Sequence, residues 1–283
     1  NLTSLTPVSH AYTTGFFTVS LTLSNMSGES VTVTMPNFIR VAGESAFVAP
    51  NGGHVPPFDT WSRASTSIQD AVYAVYSVTG EPRVVSVAPG LYAPPAPLDI
   101  HIPAEIRSVN GPSSTFINGS GLRGIQITHP KALFAGFTVT NANAGGLDGS
   151  GAYVTAGTIS NCVFTRCWGN RASTIFLTGS NTLLTHSTIS NNTETGNSGG
   201  CGGVRMLSGA RMEYCLLTRN TPGSEILGVS AVFMQGNSFM SHCIISNNPF
   251  RSSTTASRAV AMQAGDVVRN CLISDNAGRG LHM

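Results

Sequence analysis

Cys215-Leu216-Leu217-Thr218-Arg219-Asn220 and Cys243-Ile244-Ile245-Ser246-Asn247-Asn248 are two copies of one phrase. Reading outward, it recurs at Cys271-Leu272-Ile273-Ser274-Asp275-Asn276 and, more loosely, at Ser187-Thr188-Ile189-Ser190-Asn191-Asn192 and Cys162-Val163-Phe164-Thr165-Arg166-Cys167. The first positions lie 25, 28, 28 and 28 residues apart, a period that signals stacked structural repeats. Within the phrase the first and third positions are apolar or small, the alternation of a strand with one buried face. No helical stripe is sustained between phrases, because Gly, Ser, Asn and Thr interrupt every segment. A coil of this length carrying only short strands suits one turn of a parallel β-solenoid, whose turns pair at roughly 4.8 Å. Helical and leucine-rich repeats fit badly, since the helix-forming half of each unit is missing.

Equivalent positions in successive phrases form rows. The last position is Asn192, Asn220, Asn248 and Asn276, with Cys167 the exception. Asn tolerates the left-handed backbone that a tight corner demands, and stacked Asn amides can hydrogen-bond along a column. Cys162, Cys215, Cys243 and Cys271 occupy the inward first row, where a thiol behaves as a small hydrophobe and parallel neighbours are poorly oriented for a disulfide. Cys167 and Cys201 stand off that row, and the sequence leaves them free or paired. No C-x-x-C spacing occurs, so no zinc knuckle is expected.

Composition narrows the function classes. Charged residues are 10% of the chain, against roughly 25% in an average globular protein, and Ser, Thr, Asn and Gly supply the polar surface instead. The net charge of +2 is spread without a basic cluster, so nucleic acid is not an expected partner. Apolar runs are too short for a membrane span. Residues 1–43 show no signal-peptide pattern, so any signal peptide is expected upstream of Asn1, and the C-terminus follows a repeat phrase directly. The reading is therefore a solenoid truncated at its C-terminus, with end-to-end self-association as the alternative way of covering the open coil.

Upstream, Phe17, Val19, Leu21 and Leu23 alternate with Thr18, Ser20 and Thr22, a turn follows at Asn25 to Gly28, and Val31-Thr32-Val33-Thr34 opens a second strand. This hairpin, with His10 to Asn25 and Asn37-Phe38-Ile39-Arg40-Val41, resembles the final strands of a PKD domain, an immunoglobulin-like module of extracellular proteins. Residues 1–43 are thus expected to be a partial β-sandwich, and half a sandwich leaves half a core exposed, so these strands should be mobile or dock on the solenoid. Residues 44–65 read as a Gly- and Pro-rich junction. Residues 66–283 read as the solenoid, led by a helix over Ser65 to Tyr76 that Thr66 or Ser67 caps and whose Ile68, Ala71, Val72 and Val75 form one face.

The helix around Ser67-Ile68-Gln69-Asp70-Ala71-Val72, the strand ending in Ala88-Pro89-Gly90-Leu91-Tyr92, Ile106 to Pro112, Thr115-Phe116-Ile117-Asn118-Gly119, Gly136-Phe137-Thr138-Val139-Thr140-Asn141 and the five phrases together resemble right-handed parallel β-helix proteins of the pectate-lyase-like superfamily. The resemblance implies an all-β fold: a right-handed parallel β-helix with an N-terminal capping helix. The superfamily includes lyases, hydrolases, adhesins and tail spikes, so fold alone does not choose among functions. Its lyases use calcium held by carboxylates with an Arg or Lys base, and its hydrolases cluster Asp residues on neighbouring coils.

Placing each acid of the repeat region on the coil brings only Glu194 and Glu225 near one another, in the loop after the phrase, with Arg171 and Arg251 on the same side. These four are the catalytic candidates, and four solvated loop charges are the alternative. No Asp-Asp or Asp-x-Asp pair exists in the chain, so the catalytic pattern is not recovered. A second row, one position before the phrase, is Asn161, His186, Tyr214, His242 and Asn270. Pointing outward, His186, Tyr214 and His242 would offer stacking rings to sugar at one-coil spacing, and a plain corner row is the alternative. The favoured reading is a secreted or cell-surface bacterial module that binds a polysaccharide or surface glycan without catalysis and without a metal or cofactor. A polysaccharide lyase or glycoside hydrolase acting on an acidic polysaccharide is the runner-up, with calcium only for a lyase. A unit of a surface layer or fibre comes third.

Overall fold

A computed structural model covers the chain and describes residues 9–76, 80–169, 173–196, 201–223, 228–250 and 258–283. Three parallel sheets of nine, eight and eight strands run the length of the solenoid among these residues. Each coil contributes one strand to each sheet in turn: Arg83–Val87 enters the first, Gly90–Tyr92 the second and Leu98–Ile100 the third, before Ala104–Ser108 returns to the first. The one α-helix among the described residues, Ile68–Ala74, has Ser67 as its N-cap, the Ser67 hydroxyl accepting from the Asp70 amide. Ile68, Ala71, Val72 and Val75 are buried where the helix packs over the first coils, as the 3.6-residue pattern requires.

The phrases form the second sheet in perfect step. Val163 pairs with Thr188, Thr188 with Leu216, Leu216 with Ile244 and Ile244 with Leu272. A shift of one residue would turn every inward side chain out. The core is therefore a set of stacks: Phe164, Ile189, Leu217 and Ile245 from this sheet, with Met212 on Met240 from the first and Met206 on Met234 from the third.

The Asn row is placed differently from the sequence reading. The left-handed residues at that corner are Arg166, Asn191, Arg219, Asn247 and Asp275, one position earlier. Asn192, Asn220 and Asn248 are fully buried behind them, with their amides hydrogen-bonded along the column as expected. A corner needs both parts: a residue at positive φ to turn the chain, then an inward polar group to satisfy the carbonyls that the turn strands. Asn248 Nδ2 donates to Leu217 O of the preceding coil and to Ser246 O. Cys167, in the same row, meets Val139 O and Thr165 O through its thiol.

All six cysteines are free. Cys162, Cys215 and Cys243 are buried in one row, and the half-buried Cys271 continues it. Burial pushes the Cys162 and Cys167 thiols up to about 12, because a thiolate loses its hydration there.

The N-terminal hairpin pairs Gly15–Ser24 with Ser30–Val41, antiparallel with a bulge between Phe17 and Val19. Its base docks: Phe16 meets Phe58 edge-on, and Arg83 donates to the carbonyls of Ala42 and Gly43. Beyond that, Leu21, Leu23, Val31, Val33 and Met35 stay exposed. Ser45–Val48, inside the stretch read as a junction, pairs in parallel with Arg83–Val87 and is the first rung of the first sheet.

Candidate functional site

The outer face of the second sheet gathers three of the residues that the sequence singled out, His186, Tyr214 and His242. One border is the row that precedes each phrase. Gly136, Asn161, His186, Tyr214, His242 and Asn270 all have positive φ, so this is a corner row. It also points outward. The His186 and Tyr214 rings lie 5.0 Å apart at 16°, and the Tyr214 and His242 rings 4.7 Å apart at 11°. Tyr214 remains 50% exposed. Each end of the stack is held: His186 Nδ1 is 2.8 Å from Thr185 Oγ1, and Asn270 Nδ2 donates to His242 Nε2 at 3.1 Å. An amide nitrogen can only donate, so the proton of neutral His242 sits on Nδ1.

Beside the rings runs the second phrase position, where Leu216, Ile244 and Leu272 expose aliphatic surface. The fourth position supplies hydroxyls, Thr165, Thr218 and Ser246 among them. The far border is the other left-handed corner, with Asn141, Arg166 and Asn191. Toward the earlier coils these close an open groove of about 510 Å³ lined also by Phe116, Thr138, Thr140 and Thr165. A ledge with ring edges along one side, aliphatics and hydroxyls across it and amides and guanidinium groups along the other can pack against sugar rings and hydrogen-bond their hydroxyls.

Of the catalytic candidates, Glu225, Arg171 and Arg251 lie outside the described residues. Glu194 is described, and it is buried rather than solvated. It sits in the short Thr193–Glu194 strand, which pairs with Trp168–Gly169 at the corner between the second and third sheets. Its amide donates to Thr221 O and its Oε2 accepts the Gly223 amide at 3.0 Å. A Cβ on Gly223 would stand 2.8 Å from the Glu194 carboxyl carbon, so only glycine lets the next coil's loop close over the carboxylate. Glu194 thus ties two loops together, away from the ring face. No three His, Cys, Asp or Glu side chains converge as a metal site among the described residues. No described helix is long and apolar enough to cross a membrane.

The sequence reading found the rings and missed the aliphatic row beside them. Its signal was present: Cys-Leu-Leu, Cys-Ile-Ile and Cys-Leu-Ile carry an apolar residue at the second position, which alternation assigns to the outside.

A family model described as a right handed beta helix region matches residues 117–283, more than half of the chain. No curated protein and no solved structure matches.

Proposed function

We propose that this chain, which belongs to the right-handed β-helix family, is a non-catalytic glycan-binding module of a secreted or cell-surface bacterial protein. The polysaccharide lies along the outer face of the second sheet and packs against the exposed edges of the stacked His186, Tyr214 and His242 rings. The observation that carries this reading is that these three bulky residues sit at positive φ, in a row where other coils use Gly136, Asn161 and Asn270. A left-handed conformation costs a residue with a Cβ about 1–2 kcal/mol, and Asn or Gly would turn the corner at less cost. At three successive rungs the turn is combined with a ring exposed to solvent, where Gly or Asn would serve the turn alone, and an exposed ladder of rings suits a binding surface.

Several features support the setting. The surface is polar through Ser, Thr and Asn rather than through charge, which suits contact with carbohydrate hydroxyls. The pectate-lyase-like resemblance of the solenoid and the PKD-like resemblance of the hairpin both point outside the cell. All six thiols are free, and five of them are buried, where oxidants reach them poorly. The enzymatic alternative rests on a carboxylate pair of which Glu194 is the described member, buried and accepting the Gly223 amide.

Binding to a panel of immobilised neutral and uronate polysaccharides tests the reading. Tyr214→Ala should weaken binding about tenfold, the loss of roughly 1.4 kcal/mol of contact with the ring edge. Full-strength binding by Tyr214→Ala would refute it. Calcium-dependent release of unsaturated sugar from uronate polymers would establish the lyase instead.

A further inference from the structure

The corner that borders the ledge on the side away from the rings alternates. From coil to coil it reads Asn141, Arg166, Asn191, Arg219 and Asn247, each at positive φ. Main-chain hydrogen bonds keep the row in step: Arg166 N–H donates to Asn191 O, and Arg219 N–H to Asn247 O. A guanidinium therefore belongs to every second coil, and the coils that carry the two lie roughly 10 Å apart. Both arginines are exposed, and the ion pairs among the described residues all involve other groups. Of the residues lining the groove, Arg166 alone carries a charge. Asn turns this corner at three of the coils, so the backbone asks for nothing that only Arg supplies. Asp275 takes the next place, where the alternation would put a third cation, and the run ends there.

We propose that the glycan on this ledge is acidic at alternate sugars: an extended, unbranched chain of disaccharide repeats with one carboxylate per repeat, running along the solenoid axis with its carboxylates on Arg166 and Arg219. The inference rests on the reading of this face as glycan-binding and narrows it. Direction follows from the symmetry of the surface. The hydroxyls of Thr140, Thr165, Ser190, Thr218 and Ser246 lie in register from coil to coil, so a polymer meets the same chemistry at each step only along the axis. Across the axis it would pass rings, aliphatics, hydroxyls and amides in turn. Spacing follows from the polymer. In an extended chain one sugar rises by about the 4.8 Å of one coil, and groups two sugars apart point the same way. A guanidinium holds a carboxylate through two parallel N–H donors, whereas the carboxamide between serves an uncharged hydroxyl or acetamido group. A chain acidic at every sugar would set each second carboxylate against Asn191, and a neutral chain would leave both guanidinium groups unused.

Titration calorimetry on the intact chain tests this with three polymers of matched length: an alternating uronate and N-acetylhexosamine chain, a polyuronate, and a neutral glucan. The alternating chain should bind tightest, and its affinity should fall as sodium chloride is raised. Arg166→Gln and Arg219→Gln should each weaken it about fivefold, with melting temperature and glucan binding unchanged. The spacing itself is tested by exchanging two residues. The double variant Asn191→Arg, Arg219→Asn keeps composition and charge, puts the cations on successive coils, and uses only residue types that this corner already holds at positive φ. It should lose the preference for the alternating chain over polyuronate. Glucan or polyuronate bound by the parent as tightly as the alternating chain, or a folded double variant that keeps the parent's order of preference, would overturn the inference and leave the glycan-binding reading standing. A parent that binds none of the three polymers would overturn both.

Discussion

Asn192 Nδ2 donates to Asn220 Oδ1 at 2.9 Å inside the solenoid, and Asn220 Nδ2 passes the pattern on to Asn248 at 3.2 Å. Each amide also reaches a main-chain carbonyl of the coil before it, Phe164 O from Asn192 and Ile189 O from Asn220. The middle residue therefore serves four partners, since Asn220 Oδ1 also faces the Asn192 amide N–H.

Asn220→Ala should accordingly cost about 2–4 kcal/mol, the desolvation of a buried carbonyl and a buried N–H left without partners. Asn276→Ala, at the half-buried end of the same column, should cost less. Urea unfolding of the two variants checks the ordering, and equal losses would mean that the column contributes no more inside the stack than at its end.

The thiols make the fold sensitive to alkali. Cys162 and Cys167 titrate at about 12 in the folded chain and near 8.5 when unfolded. A raised pKa on an acid means that the folded state holds its proton longer. The contribution is complete below the unfolded value and is lost between roughly pH 8.5 and 12, where the unfolded chain has released protons that the native one retains. Each thiol should remove about 1.4 kcal/mol per pH unit in that window. Melting temperature measured from pH 8 to 10.5 should fall less steeply in Cys162→Ala than in the parent, after allowing for the cavity offset at neutral pH. Identical slopes would count against thiolate desolvation as the cause.

Glu194→Gln should lower stability by about 1–3 kcal/mol and leave glycan binding within twofold. Its Oε2 accepts the Gly223 amide in a buried corner, and a neutral carboxamide keeps the shape while weakening a charge-assisted bond. Thermal melts and the polysaccharide panel read the two effects separately. Loss of binding without loss of stability would return Glu194 to the list of groove residues.

What the sequence disclosed follows from what repeats. The stack, the inward rows and the register of the phrases are legible because identical positions face identical surroundings in every coil, so the pattern is printed five times. The left-handed corner was placed one residue late because Asn satisfies two demands, positive φ and carbonyl partnering, and the spacing alone does not say which. Arg166 and Arg219 at positive φ reveal that the corner itself does not require Asn. Glu194 was unreadable for the opposite reason. Its cover, Gly223, comes from the next coil's loop, and loops differ from coil to coil, so no row announces the contact.

Tyr214 is where fold and function should pull in opposite directions. At φ 54° a glycine relieves the left-handed strain, a gain of about 1–2 kcal/mol, against which the loss of two ring contacts with His186 and His242 weighs about 0.5–1.5 kcal/mol each. Tyr214→Gly should therefore fold with stability close to the parent's while losing most of its affinity for polysaccharide, and Tyr214→Asn should behave the same way, since Asn161 and Asn270 already occupy the row at positive φ. Tyr214→Phe keeps the ladder with His186 and His242 and should keep stability, while any loss of affinity reports a sugar contact made by the exposed hydroxyl. Chemical denaturation paired with affinity measurements on the three variants checks this. A marked drop in stability for both Gly and Asn, with affinity unchanged, would make the ring row a structural ladder and remove the reason for placing a glycan on this face.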